Sequence, residues 1–267
     1  MSADPAGSGA VDQEDMPFVA PCRVLAATAP LRWVGLGWHD VRRAPGPSFA
    51  YGMLVVGISW LVTLLAFQLG RYVLVLAMLS GFVFVAPVVA IGLYEVARQV
   101  ARGETPSVAA ALRGTRRALG NAMVFALALL VVFLVWARAA SAISIFLPIG
   151  ADATAVEFVA YLGIGSVVGL IFASITFSCS AFSLPMIDDR DTDAVTALVT
   201  SINAVLRNKR AMVVWAAIIV AAVLVGFATA FLAFWVLIPL LGYATWHAYE
   251  EAIDASAWPP APGGNDR

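Results

Sequence analysis

The sequence has few charged residues, few histidines and few cysteines. Asp, Glu, Lys and Arg make up 12 % of its 267 residues, against roughly 25 % in soluble domains, whereas 61 % are hydrophobic. A soluble core could not bury that much apolar surface, and the unbroken apolar runs exclude the alternating segments of a β-barrel. We therefore predict an all-α polytopic membrane protein.

Motifs for common enzyme and cofactor chemistry are also missing. The chain has no Ser/His/Asp arrangement, phosphate loop, Cys-x-x-Cys pair or nucleotide-binding glycine motif. Cys22 lies in the polar N-terminal region and Cys179 in an apolar run, so we expect no disulfide framework. The N-terminus also lacks the basic and apolar regions of a signal peptide. These absences favour a non-enzymatic protein without a cofactor.

The apolar runs predict six membrane spans in three hairpins. The stretch from Ala211 to Tyr249 carries no charged residue, and as one helix it would be about 58 Å long, roughly twice the hydrocarbon thickness of a bilayer. We therefore predict two helices there, with a turn near Gly226–Thr229. The predicted membrane domain is 28–253, with disordered tails at 1–27 and 254–267 and spans at about 48–69, 72–96, 121–145, 156–184, 211–227 and 230–249.

A short amphipathic segment precedes each hairpin and is followed by basic residues. These segments are too short to cross a bilayer, so we predict interfacial helices on the cytoplasmic side. Their apolar faces are Leu31, Val34, Trp38 and Val41; Val108, Leu112 and Leu119; and Val195, Leu198, Val199, Ile202, Val205 and Leu206. Each second span also carries a proline, at Pro87, Pro185 or Pro239. A threefold pseudo-repeat and a chance resemblance among helical hairpins both remain open.

The distribution of basic residues predicts the orientation. With the N-terminus in the cytoplasm, only Arg71 and Arg138 of the 16 basic residues lie on the outer side, which leaves 16 − 2 = 14 inside. This bias is what the positive-inside rule requires, so we predict that both termini are cytoplasmic.

The basic patches face the inner leaflet in this orientation, so anionic lipid is a better partner for them than nucleic acid. Tryptophan rings suit the headgroup zone because they can bury an apolar body and leave a polar edge in water. The residues predicted to contact the membrane surface are Trp33, Trp38, Arg42, Arg43, Arg113, Arg116, Arg117, Arg207, Lys209 and Arg210.

Charged residues near the span ends predict two ion pairs. Glu95 and Arg98 are one helical turn apart at the inner end of the second span. Arg138 and Glu157 both belong near the outer surface and could pair there. A solute or proton pathway would need such groups near the middle of the bilayer, where the sequence places none.

Two further groups could bind a metal but have simpler explanations. His39 and His247 each follow a tryptophan, and they could ligate haem or a metal with Asp40 or Glu250 behind the ring, or serve as interfacial anchors. The acidic run 188–193 could bind a divalent cation, or supply Asp191 or Thr192 as the N-cap of the next helix. Anchoring and capping are the more economical interpretations.

The fourth span is rich in small residues. Gly165, Gly169 and Ala173 share one helix face and would allow a neighbouring helix to approach closely. The small polar residues are Ser174, Thr176, Ser178, Cys179, Ser180 and Ser183. They could line a polar path, but bonding to helix carbonyls and to neighbouring helices explains them as well.

Several stretches resemble one known family. They read PLRWVGLGWHDVRRAPGPSFAYG, APVVAIGLYEVARQVARGE, SLPMIDDRDTDAVTALVTSINAV and PLLGYATWHAYEE. Over about 28–253 the chain resembles an uncharacterised bacterial family of predicted integral membrane proteins, some labelled as cytochrome c oxidase subunits. The resemblance implies a six-span inner-membrane protein and supplies no functional residues. The oxidase label fits poorly, because a haem–copper core needs many histidine ligands and this chain has two.

Three functions follow as hypotheses. The first is a non-enzymatic structural, assembly or lipid-interacting protein of the bacterial inner membrane, in contact with anionic lipid, a membrane-protein partner or a second copy. The second is a small-solute transporter or channel, which a continuous polar cavity in the bilayer would favour. The third is a haem or metal redox subunit, which requires His39 and His247 to converge.

Overall fold

The computed structural model describes residues 18–69, 72–148 and 153–261. Within these ranges the chain forms α-helices and no strand longer than an isolated bridge. The helices are α1 (Ala29–Arg43), α2 (Pro45–Leu69), α3 (Tyr72–Ala101), α4 (Val108–Phe146), α5 (Ala155–Ser180), α6 (Ser183–Asp189), α7 (Ala194–Arg207), α8 (Lys209–Ala228) and α9 (Phe234–Ala252). The protein is an all-α polytopic membrane protein.

Five segments of the described chain are long and apolar enough to cross a bilayer. They are Pro45–Gln68, Met78–Ala101, Val108–Phe146, Ala155–Asp189 and Lys209–Ala228. The sixth predicted span coincides with α9, whose C-terminal half, Gly-Tyr-Ala-Thr-Trp-His-Ala-Tyr-Glu-Glu, is too polar to meet the same standard. The exact number of crossings therefore stays a prediction.

The second predicted interfacial helix is not a separate helix. Val108–Phe146 is one continuous helix of 39 residues, so the basic segment extends directly from the third span. Gly120 lies directly before the predicted start of the third span, but a single glycine costs only about 1 kcal/mol in a helix and does not end it. The amide of Asn121 instead donates a hydrogen bond to the carbonyl of Thr192, at 2.8 Å.

Two predicted boundaries differ from the structure by a few residues. They are the start of the first span and the turn of the last hairpin. A single residue, Ala44, separates α1 from α2, because Pro45 can occupy the first turn of a helix without a missing hydrogen bond. The last turn follows Ala228, and Ala230 and Phe231 adopt positive φ values of 49° and 70°. The turn between the first two spans, Gly70–Arg71, lies outside the described residues.

The packed core is centred on α9 and the helices around it. Tyr243 and Trp246 are completely buried, and so are Trp33 of α1 and Trp215 of α8, whose rings meet edge to face at 5.7 Å. Gly37 allows α1 to approach α9, because a Cβ atom there would lie 2.8 Å from the carbonyl oxygen of Leu240. The first helix of the described chain, α1, is thus packed against the last two, α8 and α9.

The described parts of the two predicted tails pack against this core. The backbone N–H of Leu25 donates to the side chain of Asn208 at 2.8 Å, and that of Asp254 donates to the carbonyl of Pro21 at 2.9 Å. Ala20 is 1 % exposed. The disorder predicted for 1–27 and 254–267 is therefore wrong for residues 18–27 and 254–261. Residues 1–17 and 262–267 lie outside the described chain.

Candidate membrane-contact site

The charged ends of several helices meet at one end of the bundle, which we call the polar end. Arg98, near the C-terminus of α3, forms an ion pair with Asp188 of α6 at 2.6 Å. Tyr249, near the C-terminus of α9, donates a hydrogen bond to Asp189 at 2.9 Å. The loop after α3 leads directly into α4, so the basic first turns of α4 lie at this end too.

A buried ionic cluster lies inside the polar end. Arg98 is 6 % exposed and Asp188 is 3 % exposed, and Glu95 lies 3.6 Å from the same guanidinium group. The guanidinium also stacks 4.9 Å from the ring centre of Trp246. Burying charge is costly unless the charges are paired, and here one cation is shared between two carboxylates.

Glu95 and Arg98 lie 3.6 Å apart, within the distance of an ion pair, but sequence reasoning missed the closer partner, Asp188. Asp188 was grouped with the acidic residues expected to cap a helix. Its position directly after the apolar run Leu184–Ile187 was the available signal, because a charge next to a membrane segment usually has a buried partner.

The N-cap of α7 is Asp193 rather than Asp191 or Thr192. Its carboxylate accepts hydrogen bonds from the backbone N–H groups of Val195 and Thr196, at 2.8 and 2.9 Å. Burial raises the pKa of Asp193, but bonds from the Thr196 side chain and from the backbone outweigh it and hold the pKa below its ordinary value. The acidic run therefore does supply the N-cap, but the residue is Asp193, one position after Thr192 and two after Asp191.

His39 and His247 have different surroundings. His39 is exposed on α1. His247 lies between two carboxylates, with Nε2 2.7 Å from Asp40 and Nδ1 3.7 Å from Glu250. Both ring nitrogens therefore face a carboxylate, and a metal at either nitrogen would have to displace it. No group of three metal-ligating side chains is found within the described ranges.

The residues predicted at the membrane surface are exposed, with one exception. Trp38, Arg42, Arg43, Arg113, Arg116, Arg117, Arg207, Lys209 and Arg210 are all exposed. The guanidinium of Arg42 stacks 5.2 Å from the ring centre of Trp38. Trp33 is completely buried, and its indole N–H donates to Glu251 at 2.7 Å. Its predicted contact with lipid headgroups is therefore wrong.

The apolar face predicted for α1 is divided between the protein and its surroundings. Trp33, Gly37 and Asp40 face the protein, whereas Leu31 is 61 % exposed and Trp38 is 40 % exposed. The other two members of the predicted face, Val34 and Val41, are partly buried against the core.

The same arrangement recurs in α7. Its packed face consists of small residues: Thr200 accepts a hydrogen bond from the backbone of Ala20, and Ser201 donates one to the carbonyl of Ser178. Val195 and Leu206 on the other side are each 57 % exposed. Val205 of the predicted face is buried, and Leu198 is partly buried against the core.

The first turns of α4 follow the pattern as well. Ala111, Gly114 and Ala118 are buried, whereas Leu112 is 48 % exposed. We call the exposed apolar residues of these helices the outward faces; they are Leu31 and Trp38 of α1, Leu112 of α4, and Val195 and Leu206 of α7. In water such faces would be unfavourable, whereas hydrocarbon would solvate them.

The second predicted ion pair is not formed. Arg138 is exposed, and it lies 30 residues, or about 45 Å, along α4 from Val108, far from the polar end. The carboxylate of Glu157 instead accepts bonds from the backbone N–H and the hydroxyl of Thr154, at 2.8 and 2.9 Å. This capping box starts α5 and uses the group that was expected to pair with Arg138.

An open cavity of about 690 Å³ lies between α3, α4 and α5, and we call it the α5 groove. Six aromatic residues line it, namely Phe82, Phe125, Phe133, Trp136, Phe172 and Phe177. The hydroxyl-bearing residues of its lining are Thr176 and Ser180, and Ser180 donates its proton to the carbonyl of Thr176. A smaller cavity of about 230 Å³ continues from Trp136 and Gly169, which line both.

The small-residue stripe on α5 faces this open space. A Cβ atom on Gly165 or Gly169 would have no neighbour within 4 Å, so no helix packs closely there as the stripe predicted. The serines behave as expected for packing, because Ser174, Ser178 and Ser183 donate to carbonyls one turn earlier.

Comparison with known proteins supports the membrane assignment. No curated protein and no solved structure gives a significant match. The oxidase label attached to some relatives finds no support in these comparisons. The resemblance to a family of predicted integral membrane proteins is confirmed, since residues 74–189 match the family model DUF2189, described as a predicted integral membrane protein.

Proposed function

We propose that the protein is a non-enzymatic lipid-interacting protein of a bacterial inner membrane, and that its polar end lies at the cytoplasmic surface among anionic phospholipids. The observation that carries this proposal is the set of outward faces. On α1, α4 and α7 the exposed side chains include both large apolar residues and basic residues. Apolar faces beside basic residues suit the boundary between hydrocarbon and anionic headgroups.

The location of the basic residues supports the orientation. Arg42 and Arg43 end α1, Arg113 and Arg116 lie in the first turns of α4, and Lys209 starts α8. Contacts among the helix ends bring these groups to the polar end, whereas Arg138 lies at the other end of α4. A polar end at the inner leaflet would satisfy the positive-inside rule and place both termini in the cytoplasm.

The proposal is tested by native mass spectrometry of the protein released from nanodiscs that contain equal amounts of phosphatidylglycerol and phosphatidylcholine. We expect the retained lipid to be enriched in phosphatidylglycerol. Replacing Arg113 and Arg116 with alanine should reduce the enrichment about fivefold per residue, since a basic residue near an anionic surface contributes about 1 kcal/mol. Added salt should weaken the enrichment of the unmodified protein.

Arg138→Ala is the matched control, because it removes an exposed arginine of the same helix at the other end. It should leave the phosphatidylglycerol enrichment unchanged. Equal losses from both variants would contradict a headgroup site at the polar end, and so would an enrichment that does not respond to salt. A partner protein or a second copy covering the outward faces would instead reduce the amount of retained lipid of both kinds.

Transport of a small solute is the second candidate, supported by the buried Arg98–Asp188 pair beside the membrane segments. Against it, the α5 groove is almost entirely apolar and would not hold a polar solute. Flux of labelled small solutes into liposomes containing the protein, lost on Asp188→Asn, would favour transport over the lipid-interacting function.

A further inference from the structure

We propose that the α5 groove is a binding site for one hydrocarbon chain of a membrane lipid. This inference deepens the proposed function and rests on it, because it names the part of the lipid that the membrane segments hold. The groove is a separate place from the outward faces and uses different chemistry. The groove therefore binds a hydrocarbon chain of a lipid, whereas the polar end contacts lipid headgroups.

The surroundings of the groove identify the class of its occupant. Its walls belong to α3, α4 and α5, with Leu184 of α6 at one end, and all of these lie in candidate membrane spans, so the medium at its opening is lipid hydrocarbon. At about 690 Å³ it falls within the range of about 300–1,000 Å³ that is usual for ligand sites. Its lining offers almost no hydrogen-bonding groups, so water or a polar solute would lose partners on entering.

The length of the groove suits a long, thin occupant. Along α5 the residues that line the two cavities extend from Tyr161 to Ser180, a distance of about 29 Å at 1.5 Å per residue. The hydrocarbon core of a bilayer is about 30 Å thick, so a chain lying in both cavities would pass beyond the middle of the membrane.

Two features keep the groove open. The stripe of Gly165, Gly169 and Ala173 removes side-chain volume from the α5 wall, and no neighbouring helix takes up the space at the two glycines. On the opposite wall the rings of Phe133 and Trp136, 5.8 Å apart, form a broad apolar surface. A flexible chain can lie between these two rings and the strip of α5 at Gly165 and Gly169 that has no side chains, and would gain dispersion contacts on both sides.

The experiment reconstitutes the full chain in nanodiscs of phosphatidylcholine that carries a diazirine in the middle of one acyl chain. After illumination, the positions of the adducts are mapped by peptide mass spectrometry. We expect the adducts to concentrate on Phe133, Trp136 and Phe172, and the lipid to remain bound through washing with mild detergent. The lipid is zwitterionic, so this result does not depend on the basic residues at the polar end.

The decisive variant is Gly169→Leu, which fills the point where the two cavities meet. A leucine side chain would exclude the occupant from this point and remove on the order of ten carbon–carbon contacts of about 0.1–0.2 kcal/mol each, so adducts in the groove should fall about tenfold. Ala173→Phe fills the larger cavity from the same wall and should have the same effect. Gly163→Leu is the matched control on α5, because Gly163 is exposed, is open to a Cβ atom and lines neither cavity.

The outcomes separate this inference from the proposed function. Loss of groove adducts in Gly169→Leu but not in Gly163→Leu supports a chain site. Adducts spread evenly over the exposed side of α5, or unaffected by Gly169→Leu, would overturn it and indicate ordinary lipid at the protein surface. Arg113→Ala with Arg116→Ala should leave groove adducts unchanged, and Gly169→Leu should leave the phosphatidylglycerol enrichment unchanged.

Discussion

The helices α9 and α5 are both rich in apolar residues, yet they contact different surroundings. In α9, Tyr243, Trp246 and Tyr249 are at most 2 % exposed. In α5, Cys179 is the one buried residue of the helix. The more polar helix is thus the more buried one. In lipid this order is expected, because polar groups need partners inside the protein, whereas purely aliphatic faces are solvated by hydrocarbon.

This contrast can be tested by paired substitutions, each comparing a position on the packed side with a similar position on the open side. The largest effect is expected at the buried ion pair. Arg98→Ala leaves Asp188 buried without its nearest cation, which should lower the free energy of unfolding by about 3–5 kcal/mol. The measurement is thermal unfolding in mild detergent.

The double variant Arg98→Met with Asp188→Leu is the control for the ion pair. Replacing both charges with apolar side chains of similar volume should recover part of the lost stability, because Asp188 no longer leaves a buried charge without a cation, whereas Glu95 still loses its partner. A double variant as unstable as Arg98→Ala would mean that packing, rather than an unpaired charge, causes the loss.

The second pair lies on the two sides of α1. Trp33→Ala should cost about 3–5 kcal/mol, because it removes a completely buried ring and its bond to Glu251. Trp38→Ala should change stability by no more than about 0.5 kcal/mol, because that ring faces outward. Denaturant titration in detergent measures both, and similar losses would show that α1 does not pack as described.

The sequence predicted α1 itself but not which of its tryptophans is buried. Helical periodicity places Leu31, Trp38 and Val41 on one apolar face, and in a soluble protein that face would be the packed one. In a membrane protein the outer medium is apolar as well, so periodicity finds the two faces of a surface helix without saying which one meets the protein. That Trp33, Gly37 and Asp40 form the face that meets the protein follows from the packing of α1 against α9, which the periodicity of α1 does not reveal.

Glycines on α2 form the third pair. A Cβ atom on Gly52 would overlap the backbone carbonyl of Trp235, so Gly52→Ala should push α2 away from α9 and cost about 1–3 kcal/mol. Gly57→Ala meets open space and should stabilise the helix by up to about 1 kcal/mol. Opposite signs in thermal unfolding are expected, and destabilisation by both would contradict the packing of α2 on α9.

The smallest pair compares two aspartates before α7. Asp193→Ala removes the N-cap and should cost about 1 kcal/mol, whereas Asp191→Ala, at an exposed neighbouring residue, should cost clearly less. Because the pKa of Asp193 is lowered in the folded protein, its contribution is present above the unfolded value of about 3.9 and is lost as the pH falls through the lower folded value. Unfolding at pH 7 and pH 3 should show a smaller difference between Asp193→Ala and the unmodified protein at pH 3.

Sequence reasoning identified the long apolar helices and the exposed basic residues, because hydropathy and charge are local properties. It did not find the Arg98–Asp188 contact, since those residues are brought together by the packing of α3 on α6. The α5 groove was also missed for this reason. Gly165 and Gly169 favour close helix packing by their spacing, but which helix fills the space depends on the whole bundle.

The most direct test of the proposed membrane contact is the environment of a nitroxide spin label at Leu206 of α7. In reconstituted protein with Cys22 and Cys179 replaced by serine, its collision rates with oxygen and with a water-soluble nickel chelate would be compared with labels at Leu162 of α5 and Glu104 of the loop after α3. We predict that Leu206 resembles Leu162, with oxygen favoured, because the outward face of α7 lies in hydrocarbon. A label at Leu206 that meets the nickel chelate as readily as one at Glu104 would contradict the account.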